Sequence, residues 1–133
     1  MSQREKDHFS MRQKSVGGHF TAAQLGTVQK VAEQYGKGYV HLTSRQGIEI
    51  PFIRLEDIDA VKKALHEGGV SVGVCGPRVR TITACQGCAV CASGLVDTQH
   101  LANEFDKRYG GRELPHKFTF GFTGSDNPCL KDE

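Results

Sequence analysis

The alternation of apolar and polar residues divides the chain into a series of short elements. From His8 to Lys14, Phe9 and Met11 fall on one face and Ser10, Arg12 and Lys14 on the other, the period of a strand. Gly17-Gly18 breaks it. A helix start follows, with Thr21 as N-cap and Gln24 closing a capping box. Phe20 and Leu25 occupy the two positions of a hydrophobic staple. Leu25, Val28, Val31, Ala32 and Tyr35 form its apolar stripe, and Gly36 and Gly38 its stop. Residues 39–43 and 48–53 read as strands, Pro51 pointing to an edge or strand-end position for the second. A second helix is predicted over 55–66. Its acids Glu56, Asp57 and Asp59 come early and Lys62, Lys63 and His66 late, as the helix dipole prefers. After Gly68-Gly69, residues 70–74 return as a strand. The order β-α-β-β-α-β predicts an α+β, ferredoxin-like sandwich over residues 1–75.

Residues 76–133 follow another pattern. A strand over 78–83 leads into a cysteine-rich loop, then a helix over 97–109 and a strand over 117–122, a cysteine-rich α/β segment. Asp97 is the expected N-cap. Leu101, Phe105 and Tyr109 share the expected inner face of that helix. In the last strand Phe118, Phe120 and Phe122 point one way, Lys117 and Thr119 the other.

Composition narrows the function classes. Charged residues make up 24% with a net charge of +2, which points to neither bulk nucleic-acid nor membrane binding. No apolar run reaches transmembrane length, and MSQREKD is not a signal peptide. Five cysteines in such a chain suit a reducing, cytoplasmic setting.

Three of those cysteines, Cys85, Cys88 and Cys91, have the spacing C-x2-C-x2-C. Thiolates so spaced return to one side of a loop and suit an iron–sulfur cluster or zinc. Cys129, in GSDNPC, is the candidate fourth ligand. Zinc sites usually show two C-x2-C pairs, whereas here a triplet stands with a distant singleton, which favours iron–sulfur and leaves zinc open. Cysteines three apart are awkward to bridge to one another, which argues against disulfides. Cys75 reads as a small packing residue. Basic residues recur at strand spacing, Arg12 with Lys14 and Arg78 with Arg80, and Arg45 sits in a turn beside Gln46. Singly they read as solvated faces. Together with Lys117 they would make one cationic concavity beside the cysteine loop.

The stretch GPRVRTITAC…C…GLVDT resembles the cluster segment of the sulfite and nitrite reductase family, whose first cysteine pair is C-x5-C, like Cys85 and Cys91. VGGHFTAAQL and HLTSRQGIEIPFI resemble the family's ferredoxin-like half-domain. LPHKF and the G-x4-C of Gly124 to Cys129 resemble its second cluster segment. The resemblance implies a 4Fe–4S cluster and siroheme. Cys85, Cys91 and Cys129 match cluster ligands, and Cys129 also the cysteine that bridges cluster and siroheme iron. Arg12, Arg45, Gln46 and Arg80 match positions that contact siroheme or substrate. Lys14, Arg45 and Lys117 match positions that stabilise or protonate a small oxyanion. Ser125 stands where the family has a further cysteine, so Cys88 is expected to supply the fourth thiolate. Thr119 replaces a second lysine. The family's second half-domain is not seen in the sequence, and the chain stops at Glu133, short of the family's following segment.

The implied function is a reductase module passing electrons from the cluster to siroheme-bound sulfite or nitrite. An electron-donor protein is the expected partner, with a second half-domain or another copy of the chain. The alternatives are a non-catalytic iron–sulfur electron carrier, a fragment active only with a partner subunit, or a zinc-stabilised binding domain.

Overall fold

The computed structural model describes residues 6–127 and 129–130. The chain forms two compact units. The first runs to Lys14 and resumes over Phe20–Gly73; the second comprises Ser15–His19 and the chain from Val74 onward. Ser15–His19, although early in the chain, groups with the second unit.

In the first unit, β1 (His8–Arg12), α1 (Ala22–Tyr35), β2 (His41–Leu42), β3 (Ile48–Arg54) and α2 (Ile58–Glu67) follow in order, with a 3-10 turn over Leu55–Asp57. The sheet order is β1-β3-β2 and both pairings are antiparallel. The expected strand at 70–74 is reduced to one bridge, Val72 to Gln13. Two backbone bonds flank it: Lys14 N–H to Ser71 O at 2.7 Å and Gly73 N–H to Arg12 O at 2.8 Å. The returning segment thus lies on the free side of β1 and completes the ferredoxin-like order. The strand expected over 39–43 is only two residues long. Val40 and Leu42 are exposed, so no buried face holds a longer ladder.

The capping box forms: Thr21 Oγ1 accepts from Gln24 N–H at 3.1 Å, and Gln24 Oε1 from Thr21 N–H at 2.9 Å. Gln24 Nε2 also donates to Gly69 O at 2.8 Å, tying the start of α1 to the turn after α2. Val28, Val31 and Ala32 face the core, but Leu25 is 46% exposed, so the predicted stripe is shorter by one turn. Ile50, Ile53, Val61 and Leu65 are fully buried at its centre.

Pro51 overturns an expectation. It lies in β3, the central strand. The register to β1 shifts there, since Phe9 pairs with Ile53 but Met11 with Ile50. The extra residue is absorbed at Phe52, whose φ is 62°. This bulge takes the proline, which has no N–H to give, out of the ladder.

The second unit contains β4 (Thr83–Ala84), α3 (Thr98–Tyr109) and β5 (Gly121–Phe122), with a 3-10 turn at Gly87–Ala89. β4 and β5 pair in parallel, and upstream only Val79–Phe118 and Arg78–Glu113 bridge, so the predicted strands are paired over part of their length. Asp97 caps α3 by accepting from His100 N–H at 2.9 Å. Its buried face is Thr98, Gln99 and Ala102, with Phe105 beside them, rather than the Leu101 line. Phe105 stacks edge-on against Phe120 and Phe122, at 5.3 and 5.0 Å between centroids.

Candidate functional site

The cysteine loop is shaped by glycines. Gly87 has φ +63°, a conformation that a β-carbon disfavours. A β-carbon on Gly94 would lie 2.6 Å from the backbone of Gly87 and Cys88, and one on Gly124 3.2 Å from Gly87 Cα. Three backbones meet where side chains would hold them apart. Hydrogen bonds close the contact: Cys88 N–H to Val96 O at 3.0 Å, Cys91 N–H to Gly87 O at 2.9 Å, and Leu95 N–H to Gly124 O at 2.7 Å. The segment leading to Cys129 is thereby pinned to the loop that carries Cys85, Cys88 and Cys91.

Cys85 is held most firmly. Its N–H donates to Phe122 O at 3.0 Å, and its sulfur accepts from Gly124 N–H at 3.2 Å. Burial works to raise its pKa. Hydrogen bonds with the Gly87 backbone, the Thr98 hydroxyl and the Gly124 N–H outweigh it, so the net shift is downward, toward thiolate. Cys88, Cys91 and Cys129 are exposed, and all five cysteines are free thiols. Ser125 Oγ donates to Asn127 O at 3.3 Å, and Cys129 Sγ lies 4.0 Å from the same oxygen.

Among the described residues, no group of three or more His, Cys, Asp or Glu stands ready to hold a metal ion. The fit to a cluster therefore rests on the donor set and its scaffold. The four candidate thiols belong to one unit, three lie on one loop, the fourth follows a segment bonded to that loop, and one sulfur already accepts a backbone N–H. Soft donors with N–H···S contacts suit an iron–sulfur cluster.

The predicted cations divide between the units. In the first, Arg12 faces Glu49 across the β1–β3 register. Its Nε donates to Glu49 Oε1 at 2.6 Å, and Nη2 pairs with the same oxygen. Sequence reading missed Glu49, which is 8% exposed; its place opposite Arg12 required the register. Arg45 and Gln46 lie in a turn closed by Thr43 N–H to Gly47 O at 2.8 Å and Gly47 N–H to Thr43 Oγ1 at 3.0 Å. Gln46 has φ 56°, unusual for a side chain this size. A β-carbon on Gly47 would lie 3.9 Å from Arg12 Cγ and Cδ, so this turn packs beside Arg12. Lys14 follows β1 and is half-buried.

In the second unit, Arg80 donates from Nη1 to Val74 O at 3.1 Å and from its backbone to Phe118 O at 2.8 Å. That bond sets Arg80 beside the segment that carries Lys117, which is exposed. Its Nε is buried without a partner among the described residues. The structure thus brings Arg12 near the Arg45–Gln46 turn, and Arg80 near Lys117.

The model of the nitrite/sulfite reductase ferredoxin-like half domain matches residues 1–68, and that of the nitrite and sulphite reductase 4Fe-4S domain residues 75–133. The chain is 32% identical over 117 residues to the coenzyme F420-dependent sulfite reductase of Methanocaldococcus jannaschii, covering 88% of this chain and 19% of that protein. It is 32% identical over 129 residues to a subunit of the anaerobic sulfite reductase of Salmonella typhimurium, covering 86% of this chain and 38% of the relative. The chain thus spans less than half the length of either relative. The crystal structure of dissimilatory sulfite reductase I shares the fold with a TM-score of 0.82 at 23% identity, over 91% of this chain and 29% of that one. No helix among the described residues is long and apolar enough to cross a membrane. The chain belongs to the nitrite/sulfite reductase family, with one ferredoxin-like half domain followed by one 4Fe-4S domain.

Proposed function

We propose that this chain is a cytoplasmic redox module of the sulfite/nitrite reductase type, with Cys85, Cys88, Cys91 and Cys129 holding a 4Fe–4S cluster. The observation that carries the reading is the Gly87–Gly94–Gly124 contact, which pins the Cys129 segment to the triplet loop. Arg12, Arg45, Gln46 and Arg80 are assigned to the carboxylates of siroheme, and Cys129 to its iron. When bound, cluster and siroheme supply one-electron transfer to sulfite or nitrite. The work of this chain's own residues is electrostatic. Lys14 and Arg45 hold substrate oxygens through N–H donors, and Lys117 Nζ gives a proton as an oxygen leaves. An electron-donor protein would supply the electrons. A relative named as one subunit of a reductase also suggests that further chains, a second half-domain or another copy, complete the site.

The carrier reading is favoured by one observation: the charge of Arg12 is already matched by Glu49. An anaerobic absorption spectrum with iron, sulfide and tetrapyrrole content separates the two. Siroheme with cluster supports the reductase, cluster alone the carrier, and zinc alone a binding domain. Cys88→Ser is expected to lose iron and sulfide while Ser125→Ala keeps them. The reverse pattern would give the fourth ligand to Ser125.

A further inference from the structure

Cys85 is the candidate ligand whose carbonyl is held twice, by Thr98 Oγ1 at 2.7 Å and Gln99 Nε2 at 2.9 Å. The same Gln99 nitrogen donates to Gly17 O at 3.1 Å. Gly17 lies in Ser15–His19, within the same unit, and its N–H donates to Ile82 O at 3.0 Å. Gln99 is 8% exposed, and its Oε1 has no hydrogen-bond partner among the described residues. A buried amide oxygen without a partner is unfavourable, and packing alone would be met by a methionine of similar size. Gly17 is shaped to match. Its φ is +60°, and a β-carbon there would lie 2.2 Å from Gln99 Oε1. The turn is built around this amide.

Resting on the cluster reading above, we propose that Gln99 is a positioning residue for the Cys85 ligand. It clasps the Gly17 turn to the cysteine loop and sets the direction from which the Cys85 sulfur meets the cluster. Ligand orientation and hydrogen bonding at the sulfurs tune a cluster's potential and its retention. The clasp therefore acts on both through one nitrogen atom.

The test uses the 133-residue chain, loaded anaerobically with iron and sulfide, as wild type, Gln99→Met and Gly17→Ala. Three quantities are read: the cluster's midpoint potential, the rate of iron loss to a chelator, and the iodoacetamide labelling of each cysteine in the unloaded chain. Gln99→Met is expected to shift the potential and to speed iron loss about tenfold, with a similar rise in Cys85 labelling. Cys75 labelling should stay unchanged. Gly17→Ala should act likewise in wild type and much less beside Gln99→Ala, where the obstructing amide is gone. If Gln99→Met does not fold, Gln99→Glu, which replaces the donor with an acceptor of equal size, reads the same quantities. Unchanged potential, iron loss and Cys85 labelling overturn the proposal. So does an equal rise in labelling at every cysteine, which marks general loosening. A wild-type chain that takes up no iron and sulfide defeats the cluster reading itself, and this inference with it. Loaded wild type with unaltered variants defeats this inference alone.

Discussion

The two units of this chain are held together by different means. The first is an apolar sandwich, with Ile50, Ile53, Val61 and Leu65 fully buried between one sheet and two helices. In the second, the buried apolar residues among the described ones are Val79 and the small cluster Ile82, Ala84 and Ala102, edged by Val16, Phe105, Phe120 and Phe122. Buried Thr98 and Gln99 spend their hydrogen bonds on the cysteine loop, and Val90 and Leu95 remain largely exposed. Apolar burial is non-directional and stabilises a fold without a ligand. Glycine contacts and polar tethers fix a backbone path but bury little, so a unit built on them gains most from a bound group. The contrast marks the first unit as scaffold and the second as the holder to which the proposed cluster is assigned.

That contrast can be broken by experiment. The largest effect is expected from removing iron anaerobically from the loaded chain: amide exchange in α3 should rise at least about ten-thousandfold while α1 is unchanged. Equal loosening of both helices would erase the distinction. Leu65→Ala comes next, expected to cost the first unit about 2–5 kcal/mol through lost burial and a cavity, read by denaturant titration. In the holder, Gly87→Ala must place a β-carbon at φ +63° and 2.7 Å from Val96 O. Its expected cost is about 1–3 kcal/mol from backbone strain, with iron retention reduced and α1 exchange unaltered. Thr21→Ala removes an N-cap and should cost about 1 kcal/mol, seen as faster exchange in the first turn of α1. The smallest effect has the opposite sign. Gly26 lies inside α1, with nothing within 4 Å of where its β-carbon would be, so Gly26→Ala should stabilise the first unit by about 0.5–1 kcal/mol. The two glycine substitutions thus have opposite expected signs, one for each unit.

Local chemistry was legible in the sequence. The capping box at Thr21 and Gln24, the Asp97 cap and the common side of Phe120 and Phe122 all involve residues within a few positions of each other. Their partners are set by helix or strand period. The cysteine triplet and its flanks were legible for the same reason, as spacing along one loop. Only the tertiary structure decided what depends on register and on contacts between distant segments. It set Glu49 opposite Arg12, because antiparallel pairing selects one partner among several. It placed Pro51 in the central strand, because a bulge at Phe52 relieved the ladder of the missing N–H. It turned α3 so that Gln99, separated by 82 positions from Gly17, bonds that turn and Cys85 together. No period in the sequence encodes such a contact; it follows from which backbones come close enough for one amide to reach both.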